Sequence, residues 1–157
     1  MAEPLADQIM RKVNQAAELY HRLMLIVAPA GAGKTTALQN VRELTGALLV
    51  NVNLELTSRM LELTERQRAL QLPRLLQEIV SNDNNEMILL DNIEVMFDIG
   101  LKQDPLRLLQ GLSRNKTVVA AWNGSVEDGW LIYATPGHPE YRRYNQVEMR
   151  GLLVMKK

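Results

Sequence analysis

This chain of 157 residues carries 18 Lys plus Arg against 18 Asp plus Glu, so it lacks the basic excess of a typical nucleic-acid-binding protein. Contact with DNA through a local patch stays open, but net charge offers no support for it. Hydrophobic residues make up 46% and charged residues 23%, which excludes wholesale disorder and predicts one domain over residues 1–157 with a sizeable core.

Several classes of protein are excluded by what the sequence lacks. Cysteine is absent, and His21 and His138 stand alone, so neither a disulfide framework nor a zinc site is expected. The longest apolar runs are about five to seven residues, whereas a membrane span needs about 20. Residues 1–13 contain acidic side chains and no apolar block, unlike a secretory signal. We therefore expect a cytoplasmic protein that makes no use of a membrane.

The first third of the chain predicts a helix, a strand, a loop and a second helix. Apolar residues recur at steps of three and four over residues 5–20, which predicts one helix with an apolar stripe. Residues 23–27, LMLIV, read as a short buried strand. A helix-like run covers residues 36–43 and ends near Gly46, a typical C-terminal stop.

The loop between that strand and the second helix has the residues of a phosphate-binding P-loop, or Walker A motif. Gly31 and Gly33 allow successive backbone N–H groups to curl around phosphate oxygens, and the following helix points its positive end at them. The Lys34 ammonium can reach the β- and γ-phosphates, and the Thr35 hydroxyl can ligate Mg²⁺. The usual first glycine is Ala28 here. The predicted nucleotide-binding residues are Pro29, Ala30, Gly31, Ala32, Gly33, Lys34, Thr35 and Thr36.

An alternative explanation of the same residues is a Gly-rich turn that happens to contain Lys-Thr. The flanking strand and helix favour the P-loop, because they are the context in which this motif is functional.

The middle of the chain predicts a strand and a long helical region. Residues 47–53, ALLVNVN, read as a second strand buried on both faces, as parallel sheets require. Residues 54–80 are mostly helical, and Pro73 is expected to break them into two helices because it lacks an N–H donor. Residues 82–85, NDNN, predict a turn-rich loop. The candidate core residues of the helical region are Leu56, Met60, Leu63, Leu70, Leu75, Leu76 and Ile79.

Residues 87–94, MILLDNIE, have the pattern of a Walker B strand. Four apolar residues bury the strand, and Asp91 at its carboxyl end is placed to hold Mg²⁺ beside the phosphates. The alternative role for Asp91 is that of a helix-capping or turn aspartate. Its position downstream of a P-loop favours the metal-binding role.

The remaining elements are predicted from shorter patterns. A helix covers residues 104–111 and begins with Pro105 at its first position. Strands are predicted at residues 117–122, 130–135 and 152–155. Because ligands in parallel sheets bind beyond the carboxyl ends of the strands, we expect Gly33, Asp91 and Asn123 to meet at one edge.

Alternating strands and helices predict a three-layer α/β fold with a mainly parallel sheet. With its P-loop, this order resembles the additional-strand branch of the P-loop NTPases, which includes the AAA+ and RecA-like proteins. The resemblance implies that Asn123 acts as sensor 1, positioning the attacking water or contacting the γ-phosphate. The alternative is a turn asparagine before Gly124. After Asn123 the sequence is too short for the helical lid of AAA+ proteins, so no separate lid domain is expected.

The branch normally places a catalytic Glu directly after the Walker B aspartate. Asn92 occupies that position here, and the nearest carboxylate is Glu94. An ordinary strand points residues 91 and 94 to opposite faces, so Glu94 serves catalysis only if the strand end bends. The catalytic candidates are Lys34, Asp91, Glu94 and Asn123. Without Glu94, turnover would be slow or would need a residue from a partner.

The branch also uses an arginine finger, for which Arg114, Arg142 and Arg143 are the available donors, each equally explained as a solvated surface charge. The aromatic residues near Arg142 and Arg143 suit either a partner-binding surface or core packing. These aromatic residues are Trp130, Tyr133, Tyr141 and Tyr144.

Five segments together resemble the BrxF family, the small P-loop proteins of type 3 BREX phage-defence systems, over essentially the whole chain. They are LIVAPAGAGKTT, ALLVNVNLELT, ILLDNIEVMF, VVAAWNG and WLIYATPGHPEYRRY. The resemblance implies a prokaryotic cytoplasmic ATPase that self-assembles or docks on other BREX proteins and acts against foreign DNA.

Three functions are consistent with these observations. The first is an Mg²⁺-dependent ATPase acting as a motor or switch subunit. The second is a nucleotide-gated scaffold with little turnover, which Asn92 favours. The third is a small-molecule kinase, which is disfavoured because the second strand ends VNVN without an acidic pair and no Arg-rich lid is evident. ATP is taken as the nucleotide because no guanine-reading motif is present.

Overall fold

The computed structural model describes residues 4–16, 18–81 and 85–156. Within these ranges the α-helices are α1 (Leu5–Ala16), α2 (Lys34–Thr45), α3 (Val52–Met60), α4 (Glu65–Ser81) and α5 (Pro105–Leu112). The strands are β1 (Leu23–Ala28), β2 (Leu48–Asn51), β3 (Met87–Asp91), β4 (Thr117–Glu127), β5 (Trp130–Tyr133), β6 (Arg142–Tyr144) and β7 (Leu153–Lys156). Two short 3-10 turns, Glu94–Phe97 and Ile99–Leu101, follow β3.

The main sheet has the strand order β2-β3-β4-β1-β7, and every neighbouring pair in it is parallel. Strand β4 lies between β1 and β3, so the strand that precedes the predicted P-loop and the strand that ends at Asp91 are not direct neighbours. Beyond the main sheet, β4 continues into an antiparallel extension with β5 and β6. The predicted α/β fold with a mostly parallel sheet is confirmed.

Helices cover both faces of the sheet. On β1, all six residues are buried, and their side chains alternate between two clusters. Leu23, Leu25 and Val27 join the cluster formed with α3, α4 and α5. Met24 and Ile26 join the cluster formed with α1 and α2. This alternation is what a central parallel strand requires, since successive side chains point to opposite faces.

The first helix ends earlier than predicted. It covers Leu5–Ala16, and its buried face is formed by Ala6, Ile9 and Ala16. Tyr20 is 73% exposed and lies in a bend that leads into β1, so it does not extend the apolar stripe. The prediction for Ala17 lies outside the described residues.

The second strand is shorter and less buried than predicted. It covers only Leu48–Asn51, and the helix α3 begins at Val52, so the expected strand over residues 47–53 is wrong at its carboxyl end. Leu48 is 38% exposed because β2 is an edge strand with one neighbour, β3. The Asn51 side chain explains the switch, since it caps α3 by accepting a hydrogen bond from the Leu54 N–H.

Pro73 does not break the helical region. The break falls at residues 61–64, and Pro73 lies inside α4. A proline at this position removes the donor that would bond the Ala69 carbonyl, one turn earlier. The Gln103 side chain replaces it, with Nε2 donating to the Ala69 oxygen at 2.7 Å. The predicted core position Leu70 is also wrong, because Leu70 is 72% exposed.

Other boundaries shift by smaller amounts. Helix α2 begins at Lys34 and ends before Gly46, which adopts the left-handed conformation expected of a helix stop. Helix α5 begins at Pro105, as predicted, and Asp104 caps it. Of the predicted loop at residues 82–85, residues 82–84 lie outside the described residues. No helix in the described ranges combines the length and apolarity needed to cross a bilayer.

Strand β4 runs past the predicted end at Trp122 as far as Glu127, so Asn123 lies within a strand and is not a turn residue. Gly124 makes this continuation possible, because a Cβ at this position would overlap the Ile132 carbonyl oxygen. The same oxygen accepts a hydrogen bond from the Trp122 indole Nε1 at 3.1 Å. The antiparallel extension is therefore held closely against the end of the main sheet.

We expect Gly124→Ala to lower the free energy of unfolding by about 3 kcal/mol, because the added methyl group forces β4 and β5 apart. Urea denaturation measures the change. Gly111→Ala is the matched control, since a Cβ there contacts nothing within 4 Å and the site lies in helix α5. We expect the free energy of unfolding of that control to rise by about 0.5–1 kcal/mol. Equal stability of Gly124→Ala and the unaltered chain would contradict this account.

Candidate functional site

The loop between β1 and α2 has the backbone conformation that a phosphate cradle requires. Gly31 and Gly33 have φ of 80° and 95°, in the left-handed region where a side chain is disfavoured. Gly33 precedes α2, and no side chain caps the N-terminus of this helix. The first residues of α2, Lys34, Thr35 and Thr36, line the cavity described below, and the helix dipole adds positive potential there.

Lys34 lies at the start of α2 and is only 5% exposed. Its Nζ donates to the Ala28 carbonyl and to the Pro29 carbonyl, each at 2.7 Å. These bonds hold the ammonium inside the loop, close to the carboxyl end of β1. A buried ammonium at the mouth of a loop can form a strong, charge-assisted hydrogen bond to an anion such as a phosphate.

Thr35 and Asp91 are brought together from α2 and β3. The Thr35 hydroxyl donates to Asp91 Oδ2 at 2.6 Å, and Asp91 is 7% exposed. A hydroxyl and a carboxylate are the hard oxygen donors that Mg²⁺ accepts. The described residues contain no group of three or more acidic or histidine side chains that could hold a metal alone. The donor set thus fits an ion that also takes phosphate and water oxygens.

The backbone turns sharply after Asp91. Strand β3 ends at this residue, and Asn92 follows in the left-handed conformation with φ of 51°. Asparagine tolerates this region better than most residues do. Glu94 then opens the first 3-10 turn. The chain therefore bends at the end of β3, which is the condition under which Glu94 can approach the site.

Glu94 reaches Asn123 of β4. The Asn123 Nδ2 donates to Glu94 Oε1 at 2.7 Å. The second carboxylate oxygen, Oε2, is buried and has no hydrogen-bond partner among the described residues. Because an unpaired buried carboxylate oxygen is costly, this atom has the capacity to accept a proton or a bound group.

These residues line one cavity of about 330 Å³ at the carboxyl edge of the sheet. Of the predicted nucleotide-binding and catalytic residues, Pro29 and Ala32 do not line it. The lining residues are Ala30, Gly31, Gly33, Lys34, Thr35, Thr36, Asp91, Asn92, Glu94, Ala121 and Asn123. Gly33, Asp91 and Asn123 therefore meet at one edge, as the strand order requires.

The three arginines considered as finger residues lie away from this cavity. Arg142 donates through Nη2 to the Gln103 carbonyl at 2.6 Å, and Arg143 stacks over the Trp130 ring with its Cζ 4.4 Å from the centroid. Arg114 precedes the amino end of β4, at the opposite edge of the sheet. Among the described residues, no arginine lines the cavity.

Two of the four aromatic residues near Arg142 and Arg143 belong to the core. Tyr133 stacks on Phe97 with ring centroids 3.5 Å apart, and Tyr144 packs edge-on against Trp122. Burial raises the pKa of Tyr133 well above its usual range, and the charges of Glu94 and Glu140 add to this effect. Tyr133 is therefore neutral at neutral pH.

Asn53 is a residue near the site to which sequence reasoning assigned no role. Its backbone N–H donates to the Asn92 carbonyl at 2.8 Å, and its side-chain Oδ1 accepts from the Val95 N–H at 2.8 Å. A signal was present in the sequence, since two asparagines at a strand end often mark the start of a helix. The apolar pattern that predicts a strand over residues 47–53 outweighed this signal for the start of a helix.

Comparison with known proteins shows a likeness to solved structures and no match in sequence. No protein-family model matches the chain, and no curated protein matches it in sequence. Among solved structures, that of C. elegans PCH-2 is similar, with a TM-score of 0.51 and 13% sequence identity. The match covers 99% of this chain and 43% of PCH-2, so the chain spans less than half of that protein. At this identity the likeness shows the fold alone, which is α/β with a mostly parallel sheet.

Proposed function

We propose that this chain binds ATP with Mg²⁺ at the cavity on the carboxyl edge of its sheet and hydrolyses it. The observation that carries the proposal is the convergence of Lys34, the Thr35–Asp91 pair and the Glu94–Asn123 pair on one cavity. The position of β4 between β1 and β3 supports the additional-strand branch of P-loop NTPases. The structural likeness to PCH-2 supports the α/β fold with a mostly parallel sheet on which this proposal rests.

The binding step follows from the loop. Backbone amides of Gly31 and Gly33 and the N-terminus of α2 hold the phosphate oxygens, and Lys34 neutralises charge at the β- and γ-phosphates. Thr35 and Asp91 hold Mg²⁺, which supplies further charge neutralisation when bound. Two of the eight expected binding residues, Pro29 and Ala32, contribute through the shape of the loop, because they lie outside the cavity lining.

The hydrolytic step is assigned to Glu94 and Asn123. Glu94 Oε2, buried and unpaired among the described residues, accepts a proton from the attacking water. Asn123 holds the other oxygen, Oε1, and contacts the γ-phosphate in the manner of a sensor residue. Glu94 thus takes the place of the glutamate that would normally stand at position 92.

Asp91→Asn tests the metal part of this proposal. We expect ATP binding to fall no more than about tenfold and to lose its dependence on Mg²⁺, because the amide cannot replace the anionic ligand. Calorimetry with and without Mg²⁺ measures both quantities. Asp7→Asn, on helix α1, is the control and should behave like the unaltered chain. Undiminished Mg²⁺-dependent turnover in Asp91→Asn would refute the assignment.

A second candidate function is a nucleotide-gated scaffold that binds ATP with little turnover. It is favoured by one observation, the hydrogen bond that already occupies Glu94 Oε1. In this function Asn123 and Glu94 sense the γ-phosphate without activating water. Measurement of phosphate release distinguishes the two functions.

We propose further that the chain is a motor or switch subunit of a prokaryotic BREX phage-defence system. The support is the resemblance of its sequence segments to the BrxF family. Self-assembly, or docking on other BREX proteins, would supply the arginine that the described residues do not place at the cavity.

A further inference from the structure

We propose that Asn53 is a positioning residue that fixes the Glu94 carboxylate for hydrolysis, although it does not line the cavity itself. This inference rests on the proposed function, because it concerns the same catalytic step. It adds a residue from a different element, helix α3, to a site otherwise built from β1, α2, β3 and β4.

The segment Asn92–Val95 needs external support. Asn92 is left-handed, and the 3-10 turn that follows is only four residues long, so few local hydrogen bonds hold it. The Glu94 carboxylate nonetheless has a defined place, with Oε1 bonded to Asn123 and Oε2 buried without a hydrogen-bond partner among the described residues. A short turn of this kind keeps such an arrangement only if neighbouring structure restrains it.

Asn53 supplies that restraint at both ends of the segment. Its backbone N–H bonds the Asn92 carbonyl and its side-chain Oδ1 bonds the Val95 N–H, both at 2.8 Å. The two bonds bracket Glu94 in the sequence. They fix the main chain on each side of it, and thereby the direction of its side chain.

Asn53 is itself held rigidly. It lies in the first turn of α3, between the cap residue Asn51 and the buried side chain of Leu56. Because α3 packs its buried residues into the large core cluster, the position of Asn53 is tied to the core. Catalytic groups act best when such surrounding contacts restrict them to a productive geometry.

The first experiment measures the restraint without nucleotide or turnover. In Asn53→Ala, we expect the Val95 amide to exchange with solvent at least about tenfold faster by NMR, because its acceptor is gone. The Asn123 side-chain amide protons should also change in shift and exchange, because Glu94 moves. Asn53→Asp keeps an acceptor oxygen and should restore protection at Val95. The control Ser58→Ala removes an exposed side-chain hydrogen bond to the Leu54 carbonyl on the same helix and should leave both signals unchanged.

The second experiment measures the catalytic consequence. We expect Asn53→Ala to lower kcat about tenfold to a hundredfold while the Kd for ATP changes less than about twofold, because only the Glu94 geometry is lost. The control Ser58→Ala, on the same helix, should keep kcat within about twofold. If the role of Asn53 were purely structural, Asn53→Ala would lower the free energy of unfolding, and kcat and the affinity for ATP would not change independently.

The outcomes distinguish this inference from the proposed function. Absence of phosphate release by the unaltered chain, even with its partners, would refute the proposed hydrolysis, and the NMR experiment would still decide whether Asn53 restrains Glu94. Unchanged Val95 and Asn123 signals in Asn53→Ala would overturn the inference. So would equal changes in Ser58→Ala, or a normal kcat in Asn53→Ala beside an active unaltered chain.

Discussion

Lys34→Ala should weaken ATP binding by at least about a hundredfold, or ~2.7 kcal/mol, and so abolish it at ordinary protein concentrations. The ammonium is only 5% exposed and sits among the loop carbonyls, where a hydrogen bond to phosphate is charge-assisted and poorly screened by solvent. Titration calorimetry with Mg²⁺ and ATP measures the loss.

A control variant distinguishes the loss of a contact at the nucleotide site from a general effect of removing a positive charge. Lys12→Ala removes a lysine from helix α1, outside the cavity lining, and should bind ATP like the unaltered chain. Thermal unfolding of both variants without nucleotide shows whether each is folded. Unaltered affinity in a folded Lys34→Ala variant would refute the P-loop and with it the proposed function.

Glu94→Gln should keep ATP binding and lower the rate of phosphate release about a hundredfold to ten-thousandfold. The substitution is nearly isosteric, and the amide oxygen can still accept the Asn123 Nδ2–H. What changes is the second oxygen, Oε2, which becomes an amide nitrogen that cannot accept a proton. Binding and hydrolysis should therefore separate cleanly in this variant.

Phosphate release and calorimetry are measured together on this variant and on Glu55→Gln. Glu55 lies on helix α3 and forms an ion pair with Arg59 outside the cavity, so its substitution should affect neither quantity. If the unaltered chain releases phosphate and Glu94→Gln releases it at the same rate, Glu94 is not the catalytic base. If the unaltered chain, measured with its partners, releases no phosphate, the scaffold function is supported in place of the motor function.

Much of the fold is a direct consequence of sequence pattern. The apolar run of β1, followed by small residues and then by a helical pattern, predicts the strand, loop and helix at the observed place. The apolar run ending at Asp91 predicts β3 to the residue. Alternation of these elements predicts a parallel sheet with helices on both faces, because connections between parallel strands must cross the sheet.

The errors arose where tertiary contacts outweigh local preference. Pro73 remains in a helix because a side chain distant in sequence, that of Gln103, satisfies the carbonyl it leaves free. Residues 52 and 53 are helical because Asn51 caps α3 at this point. Extending β2 would add little stabilisation, because β2 is an edge strand with one neighbour. Residues 124–127 remain extended because β5 pairs with them.

The sequence by itself determined that Lys34, Thr35 and Asp91 lie at one edge of a parallel sheet, because that placement follows from strand order and local pattern alone. Only the tertiary structure decided the position of Glu94. A strand pattern places residue 94 on the opposite face from residue 91, whereas the left-handed Asn92 and the turn after it carry Glu94 to Asn123. That turn is hydrogen-bonded at both ends to Asn53, a residue about 40 positions earlier, and no local pattern encodes these contacts.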